Sequence, residues 1–324
     1  MICLEIEQIN RSIKEKKAQW IAKDHPFLKL SEKELRRRLG VVVDEENLKK
    51  LRKQPKPDLA KIIADTLKHR EKPKNYEAAK KILSFRQYLD SVLIEELVGL
   101  DHVILCWIFG RDWRNAGGRN CVTPVKDQGG CGSCTSFAAI GTLESMVLIE
   151  RNIETDLSEA ELHFCGHGSC TGWWPIDAVN YIKSHGVGHE SCFPYQDHSM
   201  PCVTCSLRDG EAITVSTDVS IFDVQQRKDY LWAIGPMIAV FEVFPDFWGY
   251  GSGVYTPTVP PYSDPPLHCV EVIGYNPCQK AWICKNSWGP GWGDNGFFKI
   301  AYGQCHIDTT YPFIGISTTK WWKP

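Results

Sequence analysis

The stretch DQGGCGSCTSFAA, residues 127–139, decides the fold, and it contains the pair Cys131 and Cys134, three positions apart. A small, apolar run follows the pair, and residues 136–151 predict a helix that is buried nearly all round. Three kinds of site use such a pair: a redox dithiol, half of a zinc site, and a disulfide-forming cysteine beside a nucleophile. A redox dithiol is typical of a thioredoxin-like βαβ unit, which the surrounding pattern does not resemble.

A zinc site would need further ligands from ELHFCGHGSC, residues 161–170. Tetrahedral zinc takes four ligands, but the two cysteines of this stretch are separated by four residues, a looser spacing than zinc-binding motifs use. The zinc interpretation is therefore a minor alternative, with the candidate ligands His163, Cys165, His167 and Cys170.

The third interpretation makes Cys134 a nucleophile, because a cysteine at the amino end of a helix has its thiolate stabilised by the helix dipole. Such a nucleophile needs a base, a group that orients the base, and donors for the oxyanion. PPLHCVEVIGY supplies His268 at the start of an apolar strand, and WICKNSWGPGWG supplies Asn286. Gln128 and the Cys134 backbone N–H are candidate oxyanion donors.

Four motifs, PVKDQGGCGSCTSFAA, LSEAEL, HCVEVIGY and KNSWGPGWGDNGFFKI, follow one another in an order that resembles the papain-like (cathepsin-type) cysteine proteases. The resemblance implies an α+β fold of two lobes, one helical and one β-barrel-like, with the active site in the cleft between them. It implies that Cys134 is the nucleophile, His268 its ion-pair partner, Asn286 the orienting residue and Gln128 the oxyanion donor. Trp288 resembles an indole that shields the His–Asn hydrogen bond, and neither cofactor nor metal is implied.

The resemblance also implies a division of the chain, because RDWRNAGGRNCVTPV is similar to the family's mature amino terminus. Residues 1–107 then form a helical pro-region that inhibits the enzyme, and residues 108–324 form the catalytic domain. Within that domain we expect a mainly helical lobe over residues 108–212 and a mainly β lobe over residues 213–324. The start of the pro-region is similar to short cathepsin-B-like prosegments, whereas residues 41–105 match no propeptide pattern.

Helical periodicity runs through EIEQINRSIKEKKAQWI, LAKIIADTLKHR and NYEAAKKILSFRQYLDSVLIEELVGL in the pro-region. Ser31 and Glu34 have the spacing of a capping box, and Gly40 is a natural helix stop. Strand-like runs begin near residue 213: AITVSTDVSIF, PMIAVFEV, HCVEVIGY, AWICKNSW and GFFKIAY.

Charge is distributed unevenly between the two parts of the chain. Residues 1–110 contain 23 Lys and Arg against 17 Asp and Glu, and residues 111–324 contain 14 against 22. The two parts should therefore attract each other at neutral pH. We expect Trp20, Phe27 and Leu28 to thread the cleft, and we expect acid to weaken the attraction and trigger activation.

The resemblance implies two disulfides, Cys131 with Cys170 and Cys165 with Cys202, with Cys205 as the alternative partner in the second. Of the 14 cysteines, these two bridges and the nucleophile account for five, and the sequence assigns no partner to the other nine.

Three positions depart from the family pattern. Thr135 stands where the family has a tryptophan, so a large buried indole is missing. Trp173 replaces the second glycine of the pair that lines the non-primed cleft, while Gly172 retains the first. An indole at 173 would either reshape the substrate site or pack into the interior. Leu267 precedes His268 where the family has a small or polar residue, and Cys269 follows it. Cys269, Pro175 and the segment around Thr310 are expected to shape the main specificity pocket.

The sequence thus predicts a cysteine endopeptidase made as a zymogen, which hydrolyses peptide bonds through an acyl-enzyme. The alternatives are a papain-fold binding or regulatory protein with an occluded cleft, and an acyl transferase that uses the same site. Expected partners are protein or peptide substrates and the chain's own pro-region, and the protein is expected to be a monomer.

A net charge of −2 argues against nucleic acid as a binding partner, and no apolar run is long enough to span a membrane. The cysteine content favours a secreted or endolysosomal compartment, although the first residues lack the apolar core of a signal peptide.

Overall fold

The computed structural model describes residues 4–68, 110–203, 205 and 210–322. The third helical pattern of the pro-region and the proposed boundary at 107/108 lie outside the described residues. Within the described part of the chain, no helix combines the length and the apolar character needed to cross a membrane.

Helices and a mixed β-sheet make up the described chain, which confirms the predicted α+β class. The helix predicted for residues 136–151 begins two residues earlier and is buried over most of its length. It ends where Asn152 adopts a left-handed conformation. The described helices are α1 (Ile6–Lys16), α2 (Glu32–Arg36), α3 (Glu45–Lys53), α4 (Leu59–Lys68), α5 (Cys134–Arg151), α6 (Pro175–His185) and α7 (Val224–Ala233).

One sheet runs through the molecule in the order β1-β5-β8-β7-β6-β4-β9-β3, with β2 also paired to β6. All pairs are antiparallel except β5 with β8. The five predicted strands are present as β3, β4, β6, β7 and β8, whereas β5 and β9 were not predicted. The strands are β1 (Trp20–Ala22), β2 (Arg111–Asp112), β3 (Ile213–Ile221), β4 (Met237–Glu242), β5 (Tyr250–Tyr255), β6 (Leu267–Asn276), β7 (Ala281–Lys285), β8 (Phe297–Ala301) and β9 (Phe313–Trp321).

The amino-terminal region adds a strand to this sheet, which the helical periodicity did not predict. Helix α1 ends at Lys16 because Lys17 turns left-handed (φ 53°), and the chain then enters β1. Trp20 pairs with Gly253 of β5, and its indole Nε1 donates to the carbonyl of Thr256 at 3.0 Å. The prediction that the helix continues through Trp20 is therefore wrong, because pairing with β5 outweighs the local helical preference.

The hypothesis that Trp20, Phe27 and Leu28 thread the cleft is also wrong. Trp20 belongs to β1, which pairs with β5. Leu28 packs over Gly249, and the Phe27 ring meets the Trp288 ring edge-on at 5.8 Å. These side chains anchor the amino-terminal region to the β lobe. The cleft is occupied by residues 39–42 instead, and we call this segment the strap.

Beyond the strap, two further helices of the amino-terminal region pack onto the rest of the molecule. Leu48 of α3 and Ile63 of α4 join the buried core, and Thr66 is within hydrogen-bond distance of Ser317 of β9 at 3.1 Å. The capping box predicted for Ser31 and Glu34 is present at the start of α2 and is confirmed.

Ion pairs join the amino-terminal region to the rest of the molecule on both sides of the strap. Arg38 lies 3.2 Å from Asp127, and Lys56 lies 2.7 Å from Asp223. These contacts agree in sign with the charge asymmetry of the sequence.

Candidate active site

Cys134 lies at the first position of α5 and is completely buried. The backbone N–H groups of Cys269, Gly40 and Thr135 lie near its sulfur and, with its own N–H, favour the thiolate form. Burial nevertheless raises the pKa of the Cys134 thiol to about 11 because the charged form is desolvated. The thiol beneath the strap is therefore neutral at physiological pH.

His268 and Asn286 lie side by side, and Cys269, the residue after His268, lies against Cys134. His268 is the second residue of β6, and Asn286 directly follows β7. The His268 Nε2 and the Asn286 Oδ1 are 2.7 Å apart, and the Ser287 backbone N–H donates to the same oxygen at 2.8 Å. Burial lowers the pKa of His268 to about 4, and its Nδ1 has no hydrogen-bond partner among the described residues. The imidazole is thus neutral, with one nitrogen fixed and the other available.

Trp288 covers this pair from one side. Its ring lies 4.7 Å from the His268 ring and stacks on Trp248 at 4.4 Å with an interplanar angle of 16°. Trp248 is a neighbour that sequence reasoning missed, because it lies 40 residues upstream in a stretch without a motif. The two indoles keep water away from the His268–Asn286 bond.

Gln128 is completely buried, and both ends of its side-chain amide are engaged. Its Nε2 donates to the Cys131 carbonyl at 2.9 Å, and its Oε1 accepts from the Ser287 hydroxyl at 2.7 Å. Because an amide nitrogen carries two hydrogens, one N–H of Gln128 is not used by the Cys131 bond. Sequence reasoning missed Ser287, which orients this amide and also borders Asn286.

Gly40 of the strap lies directly over the nucleophile. A Cβ at this position would overlap the carbonyl of Gly132, so only glycine permits the approach. The opposite wall is Gly172, whose φ of 129° favours glycine. The Trp173 backbone N–H donates to the Gly40 carbonyl at 2.9 Å. The sequence predicted Gly40 as a helix stop, but α2 ends at Arg36, and the close approach to Gly132 is what requires glycine.

The Trp173 indole packs mainly into the interior, which is the second of the two outcomes foreseen for it. The side chain is 7% exposed, and the end of the indole lies against Gly166 and edge-on to His163. One edge borders a surface cavity of about 350 Å³ that also includes Gly172 and Val42. Residue 173 therefore presents its backbone, rather than its ring, to the strap.

Cys269, Pro175 and Thr310, the predicted specificity residues, occupy three separate positions. The Cys269 thiol is buried against the Thr135 side chain, and Pro175 is the buried first residue of α6. The Thr310 carbonyl accepts a hydrogen bond from Arg52 of α3 at 2.7 Å. No described contact joins the three, so their shared pocket stays a prediction.

Three disulfides are present among the described residues: Cys131–Cys170, Cys165–Cys202 and Cys192–Cys205. Cys131 is thereby unavailable for a dithiol with Cys134, and two of the four candidate zinc ligands are oxidised. His163 bonds Ser136 at 2.9 Å and the Ser169 carbonyl at 3.0 Å. Within the described ranges, no group of three or more His, Cys, Asp or Glu residues is arranged to hold a metal ion.

Comparisons with known proteins agree with this geometry. Residues 110–313 match the family described as papain family cysteine protease. The chain is 34% identical over 218 residues to thiol protease aleurain of Arabidopsis thaliana, covering 63% of this chain and 60% of aleurain. It therefore spans less than two thirds of that relative's length.

Solved structures show the same fold. Digestive procathepsin L2 proteinase from Tenebrio molitor aligns with a TM-score of 0.69 at 23% identity, over 97% of this chain and 89% of that structure. The bromelain protease from Ananas comosus, in complex with the E64 inhibitor, aligns with a TM-score of 0.55 at 30% identity, over 64% and 98%. The motifs, the fold and the family match lead to one conclusion: this chain belongs to the papain family of cysteine proteases.

Proposed function

We propose that the chain is the zymogen of a cysteine endopeptidase that hydrolyses peptide bonds through an acyl-enzyme at Cys134. The observation that carries the proposal is the position of the nucleophile. Cys134 begins a long buried helix, and Cys269, which directly follows His268 of the His268–Asn286 pair, lies against it. A segment of the chain lies over Cys134 with its backbone bonded to the cleft.

In the open enzyme, Cys134 would transfer its proton to His268 Nδ1, the nitrogen that Asn286 leaves available. Water entering the cleft would remove the desolvation that raises the pKa of Cys134 and lowers that of His268, so that the ion pair becomes accessible. The thiolate then attacks a peptide carbonyl, and the new bond between sulfur and carbon forms a tetrahedral intermediate.

The oxyanion of this intermediate would be held by the Cys134 backbone N–H and by the remaining N–H of the Gln128 amide. The proton on His268 passes to the leaving amine as the carbon–nitrogen bond breaks. Water, deprotonated by His268, then attacks the thioester and releases the acid product with the free thiol. Asn286 and Trp288 hold the imidazole in the orientation that both transfers require.

The strap accounts for inhibition in the full-length chain. Gly40 supplies an N–H to the Cys134 sulfur and a carbonyl to the Trp173 N–H, so one residue blocks the nucleophile and uses the backbone donor on the cleft wall. Anchors on both sides, through β1 and through α3 and α4, hold the strap in place. We therefore assign residues 1–107 as the inhibitory region and residues 108–324 as the catalytic domain.

The experiment compares two states of the protein. The first is the full-length chain, and the second is the chain after a protease has removed its amino-terminal region at acidic pH. A peptidyl epoxide of the E-64 type should label Cys134 slowly before treatment and rapidly after it, and Cys134→Ala should abolish labelling. Cleavage of a peptide library, with products identified by mass spectrometry, separates hydrolysis from acyl transfer to another amine. If Cys134 is not labelled in either state, the proposal is wrong.

A further inference from the structure

Two of the positions that depart from the family pattern, Thr135 and Trp173, contact each other, and Cys269 lies beside Thr135. The Thr135 hydroxyl donates to the Trp173 carbonyl at 2.9 Å, and Thr135 is completely buried. The Cys269 thiol is buried against the same hydroxyl. Thr135 therefore lies between two groups that belong to opposite sides of the cleft.

The single hydroxyl hydrogen of Thr135 is directed to the Trp173 carbonyl. The Cys269 thiol lies against this hydroxyl, and burial raises the pKa of the thiol, so it stays neutral. We call the arrangement of the Cys269 side chain, the Thr135 hydroxyl and the Trp173 carbonyl the Thr135 bridge.

Each end of the Thr135 bridge is one residue from a group that the proposed reaction uses. Thr135 follows Cys134, Cys269 follows His268, and the backbone N–H of Trp173 binds the extended chain in the cleft. The Cys269 backbone N–H also lies near the Cys134 sulfur. The bridge thus joins the nucleophile, the strand that carries the base and the wall that binds the peptide backbone.

Gly40 of the strap shows why the position of Trp173 matters. A single residue contacts both the Cys134 sulfur, through its N–H, and the Trp173 N–H, through its carbonyl. The distance between the Cys134 sulfur and the Trp173 N–H is therefore about the distance that one residue of extended chain can span. A displacement of about 1 Å at such a contact is enough to misalign reacting atoms.

We propose that Thr135 is a positioning residue, whose hydroxyl fixes the Trp173 peptide relative to the Cys134 sulfur and so sets the register of a bound peptide. This inference rests on the proposed function, because a register is relevant only if Cys134 reacts with peptide carbonyls. It assigns one shared role to Thr135, Trp173 and Cys269.

The test measures two labelling rates of Cys134 in the full-length protein. A peptidyl epoxide of the E-64 type is long enough to use the backbone donor of Trp173, as Gly40 does, whereas iodoacetamide is too small to use it. Both reagents need the strap to move, so the ratio of the two rate constants does not depend on how often the cleft opens. The variants are Thr135→Val, which removes the hydroxyl at nearly constant shape, Thr135→Ser, which keeps it, and Cys269→Ala.

For Thr135→Val we expect the ratio of epoxide to iodoacetamide rates to fall about tenfold, the effect of losing one buried hydrogen bond. Thr135→Ser should stay within about twofold of the wild type, and Cys269→Ala should lower the ratio by about threefold. Thermal unfolding of each variant verifies that it is folded at the assay temperature.

An unchanged ratio in Thr135→Val overturns the inference, as does an equal fall in Thr135→Ser. A parallel fall of both rates in Thr135→Val also overturns it, since that result indicates general damage to the site. If neither reagent labels Cys134 of the wild type, the proposed function itself fails, which is a distinct result.

Discussion

At the scale of single residues, the cleft depends on where side chains are absent as much as on where they are present. A Cβ on Gly40 would meet the Gly132 carbonyl, a Cβ on Gly132 would meet the Cys170 carbonyl, and Gly172 forms the opposite wall. The nucleophile beneath them is neutral because burial outweighs the effect of four nearby backbone N–H groups. Inhibition and catalysis therefore both depend on backbone geometry within a few ångströms of Cys134.

Gly40→Ala should weaken the strap, because the added methyl group meets the Gly132 carbonyl. Overpacking of this kind typically costs about 1–3 kcal/mol, which corresponds to about a fivefold or greater rise in the fraction of open cleft. We expect iodoacetamide to label Cys134 of the full-length variant at least about fivefold faster than in the wild type. Gly291→Ala is the matched control, because a Cβ there has open space and should leave the rate unchanged.

The catalytic groups could be predicted from sequence, whereas the strap could not. Gln128, Cys134, His268 and Asn286 lie in motifs whose order and spacing are visible along the chain. The sequence around Gly40 indicated only a helix stop. Its contact with Gly132 joins positions 92 residues apart and therefore leaves no local pattern in the sequence. The roles of Thr135 and Trp173 also depend on the tertiary arrangement. The sequence shows that both residues are unusual, but only the structure shows that they are hydrogen-bonded to each other.

At the scale of elements, β1 extends the sheet of the catalytic part with a strand from the amino-terminal region. Its three residues alternate in burial, so that Trp20 packs against Tyr250 and Tyr255 while Ile21 is 66% exposed. The strand is the anchor of the strap on the β lobe. It was missed in the sequence because a three-residue strand after a helix has no periodicity of its own.

Trp20→Ala should detach this anchor, while Ile21→Ala, the neighbouring residue on the same strand, should not. Removing a buried tryptophan costs about 3–5 kcal/mol, whereas a solvent-facing substitution usually stays within about 0.5 kcal/mol. The measurement is the rate at which dilute trypsin cleaves the amino-terminal region of the folded chain. Equal rates in the two variants would show that β1 does not hold the strap.

A second feature at this scale is a buried ion pair between neighbouring strands. Glu271 of β6 is the register partner of Lys285 of β7, and their charged groups lie 3.4 Å apart. Ser145 of α5 donates to Glu271 at 2.7 Å, and Lys285 donates to Thr123 at 3.0 Å. This cluster connects the central helix to the sheet directly behind the active site.

Lys285→Met should destabilise the protein by about 3–5 kcal/mol, because it leaves the carboxylate of Glu271 buried without its charge partner. The double variant Glu271→Gln/Lys285→Met should recover part of this loss, since neither buried charge remains. Urea unfolding at pH 7 gives the free energies of unfolding for the comparison. If the double variant is no more stable than Lys285→Met, an unpaired charge is not the cause of the loss.

At the scale of the whole molecule, the amino-terminal region spans the cleft, with anchors on both lobes, and the question is how acid would release it. The sequence suggested protonation of acidic residues that face basic helices. The hydrogen bond from Lys56 lowers the pKa of Asp223, so this ion pair stays charged until the pH falls below about 3.8. Lys56 is also 75% exposed, and such pairs contribute about 1 kcal/mol or less. This pair is therefore a poor trigger in mild acid.

His268 is the better candidate. Its pKa is lowered from 6.5 to about 4 while the strap is closed, so the closed form resists a proton that an open, hydrated imidazole accepts. Where Cys134 keeps its own proton in the open form, that form therefore binds more protons than the closed form between about pH 6.5 and 4. The stability of the closed form decreases as the pH falls through this window, by at most about 3 kcal/mol.

We therefore predict that opening of the strap accelerates as the pH is lowered from 6.5 to 4. Amide hydrogen exchange of residues 39–42 in the full-length chain, corrected for the intrinsic effect of pH, measures this opening. His268→Gln, which cannot gain a proton, should lose most of the pH dependence, whereas Lys56→Met should retain it.

His163 is a second control, because burial lowers its pKa to about 4 as well, but its partners Ser136 and Ser169 lie outside the strap. His163→Gln should change the pH dependence of global unfolding and leave that of strap opening intact; the opposite pattern would assign the acid response to the interior rather than to the active site.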